Sequence, residues 1–139
     1  MSLKLSVKSL LCGFVALLSV SCLNSCADDN PYLTPQTALD YALDSLYAHS
    51  YGAYIRSVAQ EDGGPIFSES VMRNLLQQHI EAVEAEKGSV FGVDVEKTDT
   101  LTDSLVVVFY KLNFSNGNSE VSSQKVMCQN GEWKLKLRY

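Results

Sequence analysis

Few side chains in this chain of 139 residues could act as metal ligands, bases or nucleophiles. Its two histidines, His49 and His79, stand far apart, and no Cys/His cluster at metal-ligand spacing surrounds either of them. His79 could act as a general base near neutral pH, but no acid can be placed beside it. No glycine-rich loop leads into a lysine, so a phosphate-binding loop is not indicated. We therefore predict no catalytic residue, no metal site and no cofactor.

The N-terminal residues have the pattern of a secretory signal peptide. Lys4 and Lys8 precede an apolar run over residues 10–18, and small residues follow it. A helix that spans a bilayer needs about 20 mainly apolar residues, and serine and asparagine interrupt this run too early. We predict that residues 1–25 are a signal peptide rather than a membrane span.

The cysteine after this segment is a predicted lipidation site. The run LNSC at residues 23–26 resembles the bacterial lipobox, whose cysteine is acylated and becomes the first mature residue. Cys22 ends a second, weaker box, so the choice between Cys26 and Cys22 stays open. Residues 26–33 form an acidic tether that resembles the export signal of surface lipoproteins in Bacteroidota. The pattern predicts a cell-envelope protein, lipid-anchored in the outer membrane and exposed at the surface.

The charge of the mature chain limits which partners it can bind, and its cysteine content limits which disulfides it can form. The formal net charge of −5 becomes −7 when the two lysines of the signal segment are removed. Nucleic-acid binders show a basic footprint, so we predict no nucleic-acid partner. If Cys26 is acylated, Cys128 is the one thiol that remains, and no internal disulfide can form.

Helical spacing of apolar residues dominates residues 34–88. Thr34 is a predicted N-cap with a proline after it, and a second, short helix starts at Tyr51. A third helix starts after the N-cap Ser68 and stops at Gly88. Its predicted inner face consists of Met72, Leu75, Leu76, His79, Ala82 and Val83.

Alternation of apolar and polar residues replaces the helical period after Gly88. It predicts four strands, over residues 90–98, 104–115, 119–129 and 132–139. Asn130-Gly131 is typical of a two-residue hairpin turn. Counting from that turn pairs Cys128 with Trp133, Val126 with Leu135 and Gln124 with Leu137.

The turn at residues 115–118 leaves two registers open, because a three-residue and a two-residue loop put opposite faces of the preceding strand together. We favour the three-residue loop with Gly117 left-handed, since it gathers the largest apolar side chains under the helices. That register places five residues on the face of Trp133: Val106, Val108, Tyr110, Leu112 and Phe114.

Three helices followed by a curved antiparallel sheet resemble the α+β cone of the nuclear-transport-factor-2-like superfamily. The chain is similar in particular to small lipoproteins of Bacteroidota with a lumazine-binding-like, cystatin-like domain. The likeness rests on TPQTALDYALDSLYAHSYGAYI, from residue 34, and on NGEWKLKL, from residue 130. It implies one domain over residues 34–139, with three N-terminal helices packed on a curved four-stranded antiparallel sheet.

The resemblance also implies a pocket between helices and sheet. The residues that could line it are Tyr47, Tyr51, Tyr54, His79, Tyr110, Gln124 and Trp133. They could orient a polar group of a small ligand inside an apolar cavity. We expect a non-catalytic module that binds a small ligand or an envelope protein. The alternative is an isomerase-like or dehydratase-like enzyme with its pocket around His79 and the tyrosines.

The opposite face of the sheet combines apolar and basic side chains. On the favoured register it carries Phe109 and Met127 beside Lys134 and Lys136. An apolar patch rimmed by charge is typical of a partner surface. The partner could be another protein, or a second copy of the chain in a homodimer.

Overall fold

In the part of the chain that the structure describes, three α-helices come first, after a short 3-10 helix at Pro31–Leu33. The computed structural model describes residues 30–60 and 68–137. The helices are α1 (Pro35–Tyr47), α2 (Tyr51–Arg56) and α3 (Glu69–Lys87). In the described part of the chain, none of them is long and apolar enough to cross a membrane.

Capping groups set the ends of these helices. The Thr34 hydroxyl accepts a hydrogen bond from the backbone N–H of Thr37 at 3.1 Å, and Ser68 caps α3 in the same way. Left-handed residues follow two of the helices, because φ is 66° at His49 and 83° at Gly88. Each satisfies the geometry in which the chain leaves a helix. The predicted starts and stops are confirmed.

Among the described residues, four antiparallel strands follow and form one sheet, in which each strand pairs with the next along the chain. They are β1 (Val90–Thr102), β2 (Leu105–Phe114), β3 (Ser119–Gln129) and β4 (Glu132–Leu135). The order of helices and strands confirms the predicted α+β class. The first strand runs longer than predicted and the last is shorter.

The hairpin between β3 and β4 has the predicted turn. Both turn residues have positive φ, 53° at Asn130 and 82° at Gly131, as a two-residue turn of this kind requires. The predicted pairs form as Cys128 with Trp133 and Val126 with Leu135. The predicted pair of Gln124 with Leu137 lies beyond the end of β4, where the Lys136 N–H still donates to the Lys125 carbonyl at 2.9 Å.

The register between β2 and β3 is the one that we favoured. Gly117 has a φ of 93°, and the Phe114 N–H donates to the Asn118 carbonyl at 2.9 Å across a three-residue loop. Val106 pairs with Val126 as a result. The buried residues of β2 are those predicted for the inner face, which is the face that packs on the helices: Val106, Val108, Tyr110, Leu112 and Phe114.

Helix α1 supplies the other half of the core. Its buried apolar residues are Ala38, Leu39, Ala42, Leu43 and Leu46. They pack against the inner face of the sheet, and α2 packs against both α1 and α3. Tyr32, in the short 3-10 helix before α1, also packs on this core.

The inner face predicted for α3 was wrong at three positions. Ile80, which the prediction omitted, is 0 % exposed, and Leu76 and Val83 pack beside it. Leu75 is 47 % exposed, and His79 is exposed too, as is Ala82. The helix carries two overlapping apolar stripes at helical spacing. Packing against the core selects the stripe centred on Ile80, which joins Leu76 and Val83 at the sheet.

The two edges of the sheet differ. The segment after α2 covers the edge of β4 through a parallel bridge between Val58 and Leu135. Its Ala59 N–H donates to the Leu135 carbonyl, and the Leu135 N–H donates to Ser57, both at 2.8 Å. At the other edge, no strand in the described ranges pairs with the outer side of β1.

Candidate functional site

Three tyrosines from three different elements meet on the inner face of the sheet. Tyr47 is the last residue of α1, Tyr54 lies in α2 and Tyr110 lies in β2. Alternation along β2 turns Tyr110 toward the helices, between Val108 and Leu112 on the same face. Tyr47 and Tyr54 pack on the same core from the helical side. We call Tyr47, Tyr54 and Tyr110 the tyrosine cluster.

Electrostatic interaction between these phenols follows from their proximity. Burial raises the pKa of Tyr47 to about 12, with further contributions from Tyr110, Tyr54 and Glu120. Burial, and after it Tyr110, raises the pKa of Tyr54 to about 12. Both phenols are therefore neutral at physiological pH, and each can donate one hydrogen bond and accept others.

The hydroxyls of the cluster have hydrogen-bonding capacity that the fold does not use. Tyr110 is 9 % exposed, yet no protein group in the described ranges forms a hydrogen bond with its hydroxyl. The same holds for Tyr47 and Tyr54 among these residues. Buried polar groups in folded proteins are nearly always paired. The cluster can therefore offer its hydroxyls to a polar atom of a molecule that enters the site.

An ion pair borders the cluster on the side of β3. Glu120 lies opposite Leu112 on the inner face, and its carboxylate pairs with the Lys87 ammonium at the end of α3. That ammonium also lies 5.5 Å from the centre of the Phe114 ring. The pair ties α3 to the sheet. Glu120 is also a carboxylate that contributes to the raised pKa of Tyr47.

Glu120 was missing from the predicted site, although the sequence held a signal for it. The favoured register of β2 and β3 places Glu120 directly across from Leu112. An acidic residue across from a core position faces the helices. Its partner Lys87 could not be found in this way, because the angle at which α3 crosses the sheet is a tertiary property.

Two of the predicted pocket residues have structural partners on the inner face. The amide nitrogen of Gln124 donates to the carbonyls of Lys125 and Lys136 at 3.0 and 2.9 Å. It therefore joins β3 to the chain after β4. Trp133 lies opposite Cys128 and packs on the core, which places both side chains in the packing of this end of the sheet.

Tyr51 and His79 lie apart from the tyrosine cluster. The Tyr51 ring stacks on His49 with 5.9 Å between ring centres. Burial, followed by the charges of Glu81 and Glu84, raises the pKa of Tyr51, so this phenol lies beside α3. His79 is on the exposed side of α3. The structure thus brings together three of the seven predicted pocket residues.

The residues predicted as a partner surface share the outer face of the sheet. Met127 lies opposite Leu105 on one side and Lys134 on the other. The Phe109 ring is partly buried, with the Lys97 ammonium 4.8 Å from its centre. Apolar side chains and lysines therefore lie side by side on the outer face.

The two lysines of this surface differ in their roles. Lys134 donates to the Arg56 carbonyl at 2.9 Å and lies 3.9 Å from the centre of the Tyr32 ring. Lys136 borders a depression of about 300 Å³ together with Val107 of β2, residues 123–125 of β3 and Leu137. Through its contacts with Arg56 and Tyr32, Lys134 is part of the packing at the β4 edge, whereas Lys136 borders the depression.

The predicted lipidation site Cys26 lies outside the described residues, and so do the signal segment and the first half of the tether. No known protein family matches the sequence, and no curated protein does.

Three solved structures have a similar fold. One, from Campylobacter jejuni and provisionally named an NTF2-like transpeptidase, has a TM-score of 0.60 and 15% identity. The match covers 76% of this chain and 99% of that chain. A SEC-C motif containing protein from Rhodopseudomonas palustris gives a TM-score of 0.53 at 11% identity, over 80% of this chain and 81% of its own.

The third structure is an NTF2-like protein of unknown function from Shewanella oneidensis. It has a TM-score of 0.51 and 10% identity, over 72% of this chain and 89% of that chain. Matches at sequence identities this low are evidence for a shared fold and not for a shared activity. Together with the α+β order of helices and strands, they show that the described residues adopt an NTF2-like fold.

Proposed function

We propose that the tyrosine cluster binds a small, mainly apolar molecule that carries a neutral carbonyl or hydroxyl oxygen. The observation that carries this proposal is the hydroxyl of Tyr110, which no protein group in the described ranges pairs, in a residue that is 9 % exposed. The apolar side chains of Val108 and Leu112 flank it. A ligand with one polar atom in an apolar frame fits these neighbours.

The charge of the site favours a neutral ligand over an anion. Glu120 contributes to the raised pKa of Tyr47, so a negative charge is already felt at the phenols. A ligand carboxylate would be repelled there, whereas a ketone or alcohol oxygen would accept hydrogen bonds from neutral phenols.

We propose binding without catalysis. General acid–base chemistry needs a base within hydrogen-bonding reach of the reacting atom. His79, the base of the alternative isomerase-like or dehydratase-like enzyme, is on the exposed side of α3. The Glu120 carboxylate forms an ion pair with the Lys87 ammonium. The three phenols can hold and orient a ligand, and they supply donors rather than a base.

A thermal-shift screen with small cyclic ketones and the matching alcohols tests this proposal, because a ligand of the folded state raises the melting temperature. We expect at least one of them to stabilise the full-length protein and to lose that effect with Tyr110→Phe. The control is Tyr41→Phe, at an exposed tyrosine of α1. A panel without effect on the unaltered protein, or with equal effect on Tyr110→Phe, would contradict the proposal.

For its place in the cell, we infer a lipoprotein of the outer membrane, anchored at Cys26 and exposed at the surface. The lipobox at residues 23–26 and the acidic residues after it support this inference. More than one acyl chain is needed for stable anchoring. Mass spectrometry of the protein from its native membrane should find an acylated Cys26 as the first residue. An intact Met1, or acylation at Cys22, would contradict the assignment.

We also propose that the outer face of the sheet contacts a protein partner, with a second copy of the chain as the simplest case. The partly buried Phe109 and Met127 among lysines support this. Sedimentation of the full-length protein in detergent should show a dimer that Met127→Glu converts to a monomer. A monomer at all concentrations would exclude the homodimer.

A further inference from the structure

A groove runs between α1 and the open edge of β1. One depression of about 320 Å³ lies between Gln36, Thr37 and Asp40 of α1 and the segment 93–95 of β1. A second, of about 200 Å³, lies between Asp44, Tyr47 and Ala48 and the segment 90–93. We call these two depressions together the edge groove. Their order shows that α1 and β1 run antiparallel along it.

The side of the edge groove that β1 forms presents backbone N–H and C=O groups that point away from β2. In an antiparallel pair, alternate residues direct their N–H and C=O groups away from the partner strand. No other strand in the described ranges pairs with that side of β1. Bulges interrupt the strand next to Gly92 and after Val95, which leaves the segment 92–95 as a regular stretch. An added segment would be short, because bulges limit pairing at an edge.

The wall that α1 contributes carries a row of polar side chains. Gln36, Asp40 and Asp44 follow one another at intervals of four residues, which puts them on one side of the helix. Four helical residues rise about 6 Å, and two strand residues advance about 6.6 Å. Alternate residues of an extended segment in the edge groove would therefore meet Asp40 and Asp44 in succession.

The charges of this row are not neutralised within the described part of the chain. Neither Asp40 nor Asp44 forms an ion pair with a lysine or arginine there. Partial burial raises the pKa of Asp44, and the nearby charge of Asp40 adds a smaller contribution in the same direction. A cationic side chain between them would relieve that repulsion.

One end of the edge groove also presents an apolar side chain. Phe91 is 73 % exposed and borders the depression beside Tyr47. A large apolar residue this exposed beside an open edge would favour pairing with another chain.

We propose that the edge groove takes up a short extended segment of a partner protein, with lysine or arginine at alternate positions, as an added strand along β1. Backbone hydrogen bonds to the segment 92–95 would hold the added strand, and Asp40 and Asp44 would select its basic residues. Tyr47 lines one end of the edge groove and also belongs to the tyrosine cluster, but this proposal does not depend on the ligand proposed for that cluster.

Titration of the isotope-labelled full-length protein with the peptide Ac-Thr-Lys-Val-Lys-Val-Thr-NH2 tests the proposal. We expect amide chemical-shift changes centred on the segment 90–95. The double variant D40N/D44N should bind roughly tenfold more weakly, since two exposed ion pairs are lost. The control E86Q/D103N removes the same net charge from exposed positions away from the groove and should bind as the unaltered protein does.

Backbone methylation of the peptide separates strand addition from charge attraction alone. N-methyl groups on one alternate set of residues should abolish binding, and those on the other set should leave it intact. No binding of the lysine peptide would overturn the proposal. So would equal binding of a peptide with glutamate in place of lysine, equal effects of both methylated sets, or unchanged affinity in D40N/D44N.

Discussion

Tyr54 of α2 lies close enough to Tyr110 of β2 for that phenol to contribute to its raised pKa. This interaction relates the short helix α2 to the middle of the sheet, across the inner face. Neither hydroxyl pairs with a protein group in the described ranges. A pair of neighbouring phenols that the fold leaves unsatisfied is the physical basis of the proposed ligand site.

Removal of the Tyr110 hydroxyl should cost little stability. Tyr110→Phe keeps the ring in the core and removes a group without a protein partner, so the free energy of unfolding should change by less than about 0.5 kcal/mol or rise. Urea unfolding measures this. The comparison is Ser57→Ala, which removes a buried hydroxyl that donates to the Ala53 carbonyl at 3.0 Å. A larger loss for Tyr110→Phe than for Ser57→Ala would show that the Tyr110 hydroxyl has a structural partner.

Stability should fall at alkaline pH because of the tyrosine cluster. The pKa values of Tyr47 and Tyr54 are raised from 10.0 to about 12 in the folded protein, so the folded state holds these protons more tightly than the unfolded state. Their contribution to stability is complete below pH 10, and it is lost as the pH rises through about 12.

Unfolding free energies measured across that interval should decrease, and the double variant Tyr47→Phe with Tyr54→Phe should remove most of the decrease. Tyr41→Phe serves as the control, because Tyr41 is exposed. An unchanged slope in the double variant would mean that other groups cause the alkaline loss.

The face of α3 that packs on the core should be visible in two alanine variants. Ile80→Ala should lower the free energy of unfolding by about 2–5 kcal/mol, because it leaves a cavity at a fully buried site. Leu75→Ala should lower it by less than about 1 kcal/mol, because Leu75 is largely exposed. Equal losses in the two variants would mean that Leu75 packs on the core, as the inner face predicted from the sequence requires.

Lys134 should contribute to stability more than a typical surface lysine. Lys134→Met removes a donor to the Arg56 carbonyl and a cation above the Tyr32 ring, so we expect a loss of about 1–2 kcal/mol. Thermal unfolding of Lys125→Met gives the comparison at another partly buried lysine of the outer face. Equal melting temperatures for Lys134→Met and Lys125→Met would mean that Lys134 contributes no more to stability than an ordinary surface lysine.

Local signals in the sequence were sufficient for most of the fold. The caps at Thr34 and Ser68 and the turn at Asn130-Gly131 depend on neighbours within a few residues, and each was predicted correctly. Register then followed by counting. The pairing of Val126 with both Val106 and Leu135 needed only the turns and the alternation of apolar residues.

Tertiary choices were harder to predict. Both Leu75 and Ile80 belong to apolar stripes on α3, and only the way in which the helix docks on the sheet decides between them. The same docking puts His79 on the exposed side and brings Lys87 to Glu120. The tyrosines were chosen because they could face the pocket that the resemblance implied, and nothing in the sequence predicted that Tyr51 lies apart from Tyr110.

The central claim is that the phenols of the tyrosine cluster hold the polar atom of a ligand. The most direct measurement is the infrared carbonyl stretch of a carbon-labelled cyclic ketone, selected in the thermal-shift screen and bound to the full-length protein. We predict a lower frequency in the unaltered protein than in Tyr110→Phe, because hydrogen bonds from neutral phenols weaken the C=O bond. The same frequency in both proteins would contradict the claim.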